Sequence, residues 1–361
     1  MAEPAARGGH KLGSLEIGRF IAAAIVVLDH VQTSLVTHDA GAGDGFYRAL
    51  HFPGSLAVQF FFVLSGFVMI TAHWGDFGNA AAVPRFWWRR ACRIYPMYWI
   101  ALAVPLYFFH SLVTPGLLAR LVTLQPVFGY DYVPPAWSLR YEISFYILFG
   151  LCLLPRVGGY LLYFWVAAVT WVSLPVVVRH VFHIPPPHAL VWLAFHGFSG
   201  FLIFFDYYFF AGLAGGWLFL KKRPGNAVCA AMIALGLAGQ ALTMPLTKWG
   251  HEFGQPMVAS FSGASFAAII TGFAMLERNG ALRTGRLARR MGAMSYPLYI
   301  LHAPIVLLFD MHAVGLKLQG AGLWAWSAAM LAVIYAVSAF FTFLVDQPMQ
   351  RVLRRWPKPA A

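Results

Sequence analysis

The sequence predicts an all-α, polytopic integral membrane protein of about ten transmembrane helices with both termini cytoplasmic. Three observations carry this. Of 361 residues, 60% are hydrophobic and only 11% charged, with a mean hydropathy of +0.67; soluble domains are about 25% charged. Apolar runs of about 20 residues, the length a bilayer requires, recur along the whole chain. When those runs are taken as spans, the basic residues collect on one side of the membrane.

In order, the spans are read at roughly 15–36, 54–73, 94–113, 137–154, 158–178, 199–220, 227–246, 256–276, 292–312 and 322–345. Residues 1–14 and 346–361 are then cytoplasmic tails around one transmembrane domain over 15–345. The first run follows no signal-peptide pattern and is long enough to span, so it is expected to stay as the first helix. Loop 114–136, with Pro115, Pro126, Pro134 and Pro135, is expected to be irregular. Residues 179–198 contain Pro185, Pro186 and Pro187, which break a helix. The apolar run after them is too short to span, so a loop or interfacial helix is expected there.

The topology explains the charge. The formal net charge is +13, which by itself would suit a nucleic-acid partner. Yet Arg7, Lys11, the Arg85–Arg93 cluster, Lys221 to Arg223, Arg278 to Arg290 and the C-terminal arginines all fall on the side of the termini. Only Arg48, Arg120, Arg140, Arg179, Lys248 and Lys317 fall on the other. This is positive-inside asymmetry and calls for no nucleic acid. Cys92, Cys152 and Cys229 lie far apart, with no disulfide framework and no metal-ligand spacing.

Polar groups inside the spans are the candidates for chemistry. Arg19 and His30 sit eleven residues apart on the first helix, on one face and roughly 16 Å apart along the axis. Even on a lenient scale an ionised side chain at the bilayer centre costs roughly 3 kcal/mol, so this stripe should face protein or a wet cavity. A lone histidine there would be a buried helix-packing group. Asp29 beside it adds a carboxylate that can orient an imidazole, and histidine is a natural general base for a hydroxyl. Arg90 and Arg93 share a helix face among Arg85, Arg89, Trp87 and Trp88. Membrane anchoring suffices for Arg85 and Arg89. Arg90 and Arg93 also fit a phosphorylated ligand, because guanidinium forks bind phosphate bidentately. Glu142, Asp206 and His302 are further intramembrane ionisable groups. Arg140 is badly placed to pair with Glu142, two residues along, so a partner from another helix is expected. With His30 these groups suggest a polar cavity opening outward. The glycines of 211–216 and 263–265 suit close helix packing.

The order of these motifs resembles the membrane acyltransferase-3 family. Arg19 and His30 match its R-X10-H signature, and Phe61 to Phe67 resembles its second-helix motif. Arg90-Ala-Cys-Arg93-Ile-Tyr-Pro96 matches its R-X-X-R element. Trp137-Ser138-Leu139 with Glu142, and Ser295-Tyr296-Pro297-Leu298-Tyr299-Ile300-Leu301-His302, resemble two later motifs. Asp346-Gln-Pro348 departs from the usual Glu-X-Pro, and no role is assigned to Asp346. The resemblance implies an O-acyltransferase of the bacterial inner membrane. It would move an acyl group, most commonly acetyl from acetyl-CoA, to a hydroxyl of an exopolysaccharide or other envelope glycan. The expected partners are acyl-CoA, the glycan acceptor, membrane lipid and polysaccharide synthesis machinery, with no metal. Arg90 and Arg93 would hold the CoA phosphates, with Arg19 near the pantetheine. His30 would act as general base or transient acyl carrier, assisted by Glu142 and Asp29. Trp137, Ser138, Tyr299 and His302 would contact the acceptor. A proton-coupled transporter, or a non-catalytic subunit of a synthesis complex, is the alternative. Intramembrane His, Asp and Glu suit proton relays, but no inverted repeat is visible.

Overall fold

The computed structural model describes residues 12–37, 52–125, 132–182, 204–253, 255–313 and 320–353, with the isolated positions 45, 49, 50, 316 and 318. Among these the architecture is helical throughout. The elements are α1 (Gly13–Thr37), α2 (Gly54–His73), α3 (Ala82–Phe109), α4 (Pro115–Thr123), α5 (Ala136–Cys152) and α6 (Gly158–Phe182). They continue with α7 (Asp206–Lys221), α8 (Asn226–Phe253), α9 (Gln255–Arg278), α10 (Arg286–Ala313), α11 (Gly320–Phe340) and α12 (Gln347–Leu353). A π-helical turn, Phe341–Asp346, joins the last two. By length and apolarity alone, seven stretches can cross a membrane: 54–76, 82–112, 158–175, 226–243, 256–278, 286–313 and 320–353. Of the other long helices, α5 and α7 have 17 and 16 residues, and α1 carries Glu16, Arg19 and Asp29.

Apolar exposure is inverted relative to a soluble bundle. Tyr160, Tyr163, Phe164 and Trp171 of α6 and Leu235, Leu237 and Leu242 of α8 are exposed, as lipid-facing side chains should be. The buried centre is formed by α1, α2 and α10, with α1 packed along α10 and α2 along α7. The α2–α7 contact requires glycine. A Cβ on Gly66 would overlap the carbonyl of Phe209, and one on Gly212 would overlap that of Val63. Small residues thus let the backbones touch, as the glycines of 211–216 suggested.

Contacts tie several helix ends together at one end of the bundle. The backbone N–H groups of Gly13 and Ser14 donate to Glu277 Oε1 and Oε2, both at 2.8 Å. Arg278 donates to the carbonyls of Phe219 and Lys222 at the end of α7. Lys221 lies 4.6 Å from the Trp74 ring centroid, and Trp88 Nε1 donates to Leu353 O at 3.2 Å. Gly13 and Leu353 therefore stand at the same end as the arginine cluster.

Three sequence expectations are corrected. The helix expected from 94 begins at Ala82, so the arginine cluster forms its first three turns rather than a lead-in. The loop 114–136 contains a short helix, α4, capped where Leu117 N donates to Thr114 Oγ1 at 3.2 Å; residues 126–131 lie outside the described residues. Helix α6 runs on to Phe182, while 183–198 lie outside them. The segment after 346 docks on α3. Pro96 has no N–H to give the carbonyl four residues back, that of Cys92. Gln350 Nε2 donates to it instead, at 2.7 Å.

Candidate active site

Four helices bring their polar faces to one internal cavity of about 80 Å³, room enough for several waters. Helix α1 contributes Arg19, α3 contributes Arg90 and Arg93, α5 contributes Ser138, Glu142 and Tyr146, and α10 contributes Ser295, Tyr296 and Tyr299. The spacing explains the convergence. Residues 138, 142 and 146 recur every four positions on α5, so they share a face. Apolar groups from α2, among them Phe61, Phe62 and Val68, close the wall.

The three arginines are held differently. Arg19 Nη1 lies 3.6 Å from Glu16 Oε2 one turn away. Glu16 fits there because Gly292 of α10 has no side chain: a Cβ at that position would overlap its carboxylate. Arg93 has the carboxylates of Glu142, Glu16 and Asp346 within electrostatic reach. Arg90 lies 5.3 Å from the ring centroids of both Phe86 and Tyr146, and its Nη2 is 3.1 Å from His73 Nε2. Tyr146 Oη donates a short hydrogen bond to Glu142. Glu142 therefore has its partner four residues along its own helix as well as arginines from neighbouring ones.

The imidazoles form a second cluster. The rings of His30 and His302 lie 5.0 Å apart between centroids. His30 Nδ1 is 2.9 Å from Val26 O, and His302 Nδ1 is 3.2 Å from Leu298 O. A carbonyl only accepts, so each neutral ring carries its proton on Nδ1 and presents the Nε2 lone pair. His302 is fully buried, and its Nε2 has no hydrogen-bond partner among the described residues. Tyr299 links the two clusters. It lines the cavity, its ring centroid is 6.3 Å from that of His302, and its hydroxyl is 2.6 Å from Ser138 Oγ.

The structure thus brings together Arg19, Arg90, Arg93 and Glu142, and separately His30 and His302, with Tyr299 and Ser138 between. Of the groups expected to share one outward cavity, the arginine cavity takes Glu142 but not His30, Asp206 or His302 among the described residues. Glu142 groups with the arginines, one helical turn past the Ser138–Tyr299 contact. Asp206 is buried at the start of α7 and does not line the cavity. Trp137 packs against Phe62, Tyr141 and Phe205 and does not line it either. Asp29 lies against Gly54, where a Cβ would overlap its carboxylate, so it faces the first turn of α2. Sequence reasoning missed Glu16, Tyr146 and His73. The first two carry a signal, being three and four residues from Arg19 and Glu142 on their own helices.

Buried arginines beside an imidazole pair inside a helical bundle suit a membrane-embedded group-transfer enzyme. The particular family follows from comparison: the family model described as "Acyltransferase domain" matches residues 12–347, and the chain belongs to that acyltransferase-3 family. It is similar to the exopolysaccharide production protein ExoZ of Rhizobium meliloti (strain 1021), 27% identical over 82% of this chain and 90% of that one. It is also similar to the acyltransferase MdmB of Streptomyces mycarofaciens, 26% identical over 96% of this chain and 93% of that protein. No solved structure matches it.

Proposed function

We propose that this membrane acyltransferase moves an acetyl group from acetyl-CoA to a hydroxyl of an exopolysaccharide. The observation that carries the reading is the convergence of Arg19, Arg90 and Arg93 on one cavity whose wall, at Tyr299, adjoins the His30–His302 pair. Cationic forks suit the phosphates of CoA, which are cytoplasmic, and the basic end of the bundle suits the cytoplasmic face. Likeness to a protein named for exopolysaccharide production favours a polysaccharide acceptor.

The chemistry is a single acyl exchange. The Nε2 lone pair of His30 accepts the acceptor hydroxyl proton as the oxygen attacks the thioester carbonyl. The new C–O bond forms, the C–S bond breaks, and the departing thiolate takes from the His30 imidazolium the proton it had accepted, which returns the ring to its neutral form. Val26 O, by holding the proton on Nδ1, keeps His30 in the tautomer this requires. Glu142 and Tyr146 sit on the arginine side and orient the guanidiniums around the donor. The test uses purified protein in lipid nanodiscs with acetyl-CoA and a polysaccharide acceptor. Acceptor-dependent release of CoA thiol is expected from wild type and not from His30→Ala. Undiminished release from a folded His30→Ala protein would exclude His30 as the base.

A further inference from the structure

Arg90 differs from its two companions in what holds it. Arg19 has Glu16 at 3.6 Å, and Arg93 has three carboxylates in reach. Glu142 is in electrostatic reach of Arg90 too, but the side chain that Arg90 bonds directly is an imidazole, with Nη2 at 3.1 Å from His73 Nε2. A guanidinium has only donors, so this contact requires a lone pair on His73 Nε2 and places the imidazole proton on Nδ1. That proton has an acceptor: His73 Nδ1 is 2.8 Å from Asp76 Oδ2. The other carboxylate oxygen of Asp76 faces Arg85 Nη2 at 3.9 Å. His73 itself is buried at the end of α2, with its ring edge-on to Phe86 at 4.9 Å and to Phe149 at 6.5 Å.

We propose that His73, oriented by Asp76, is the positioning residue that aims Arg90 at the anionic acyl donor. The proposal rests on the reading that Arg90 holds that donor. The Phe86 and Tyr146 rings flank the guanidinium, but stacking leaves its in-plane rotation loose. The hydrogen bond to His73 removes that freedom. It does so with a neutral acceptor, whereas a carboxylate at the same place would cancel much of the charge the anion needs. Arg90 lines the cavity, and its buried Nε has no hydrogen-bond partner among the described residues.

The test measures CoA affinity of the full-length protein in nanodiscs, together with KM for acetyl-CoA and for the acceptor. His73→Ala is expected to weaken CoA binding about tenfold, the order of one lost hydrogen bond to a charged group. KM for acetyl-CoA should rise with it, and KM for the acceptor should not move. His73→Gln puts an amide oxygen near the Nε2 position and should restore most of the affinity. Adding His73→Ala to Arg90→Ala should weaken CoA binding no further. Equal losses in His73→Ala and His73→Gln would overturn the positioning role. So would an unchanged His73→Ala beside a weakened Arg90→Ala, which would leave the donor reading intact. Unchanged CoA affinity in Arg90→Ala would overturn the donor role of Arg90 and the positioning role with it. Should His73→Ala not fold, Asp76→Ala tests the outer end of the relay. It removes the acceptor that keeps the proton on Nδ1, so CoA affinity should fall, and an unchanged affinity would overturn the proposal.

Discussion

The arginine cavity and the imidazole pair share two helices, α1 and α10, yet they are built on different plans. Around the arginines, every charge is held by partners on other helices or a turn away: Glu16 against Gly292, Arg93 among three carboxylates, Arg90 on His73. Each imidazole is held by the carbonyl four residues earlier on its own helix. The first plan welds helices together around fixed charge. The second leaves a lone pair at a defined place with little tertiary support invested in it. A change at the cavity should therefore cost both stability and donor binding. A change at the imidazoles should cost chemistry and leave the bundle standing.

The largest expected effect breaks the comparison most cleanly. His30→Ala should lower turnover by about 10²–10⁴-fold, the usual weight of a general base, with little change in thermal unfolding of the purified protein. Parallel loss of fold would mean that the imidazole is structural after all. Arg93→Ala should do the reverse in part. It removes a cation that Glu142, Glu16 and Asp346 all sense, while Arg19 stays 3.6 Å from Glu16, so a modestly lowered midpoint of thermal unfolding is expected. Glu277→Ala tests the weld at the mouth of α1. Two backbone N–H groups lose their acceptor, and unfolding should become easier by about 2 kcal/mol. Tyr299→Phe is the gentlest change. Ser138 keeps its bond to Pro135 O at 3.0 Å, so about 1 kcal/mol is expected. Any change in turnover should appear as a raised KM for the acceptor, which Tyr299 is expected to contact, rather than as a loss of kcat.

Much of this was legible in the sequence, and the reasons differ between the two regions. Hydropathy located the long helices because lipid selects apolar side chains all along them. It misplaced the start of α3 because the Arg85–Arg93 turns are helical while carrying charge, some of it turned into a cavity and onto aromatic rings. Arg19 and His30 were visible as a costly stripe on one helix. The pairing of His30 with His302, 272 positions away in the chain, was not, since no periodicity within one helix reports which helix will lie beside it. The same holds for His73 and Arg90, which come from α2 and α3. Glu142 was legible as a group in need of partners. Its assignment to the arginine side depended on where α5 settles, about one turn from the level expected.

The division of labour between the two regions is tested most directly by titrating CoA into wild type, His30→Ala, and the Arg90→Ala and Arg93→Ala variants in nanodiscs. The expected result is that His30→Ala binds CoA with the wild-type Kd while both arginine variants bind it more weakly. Equal weakening in all three variants, or unchanged Kd in both arginine variants, would contradict a donor site at the arginines and a separate base at His30.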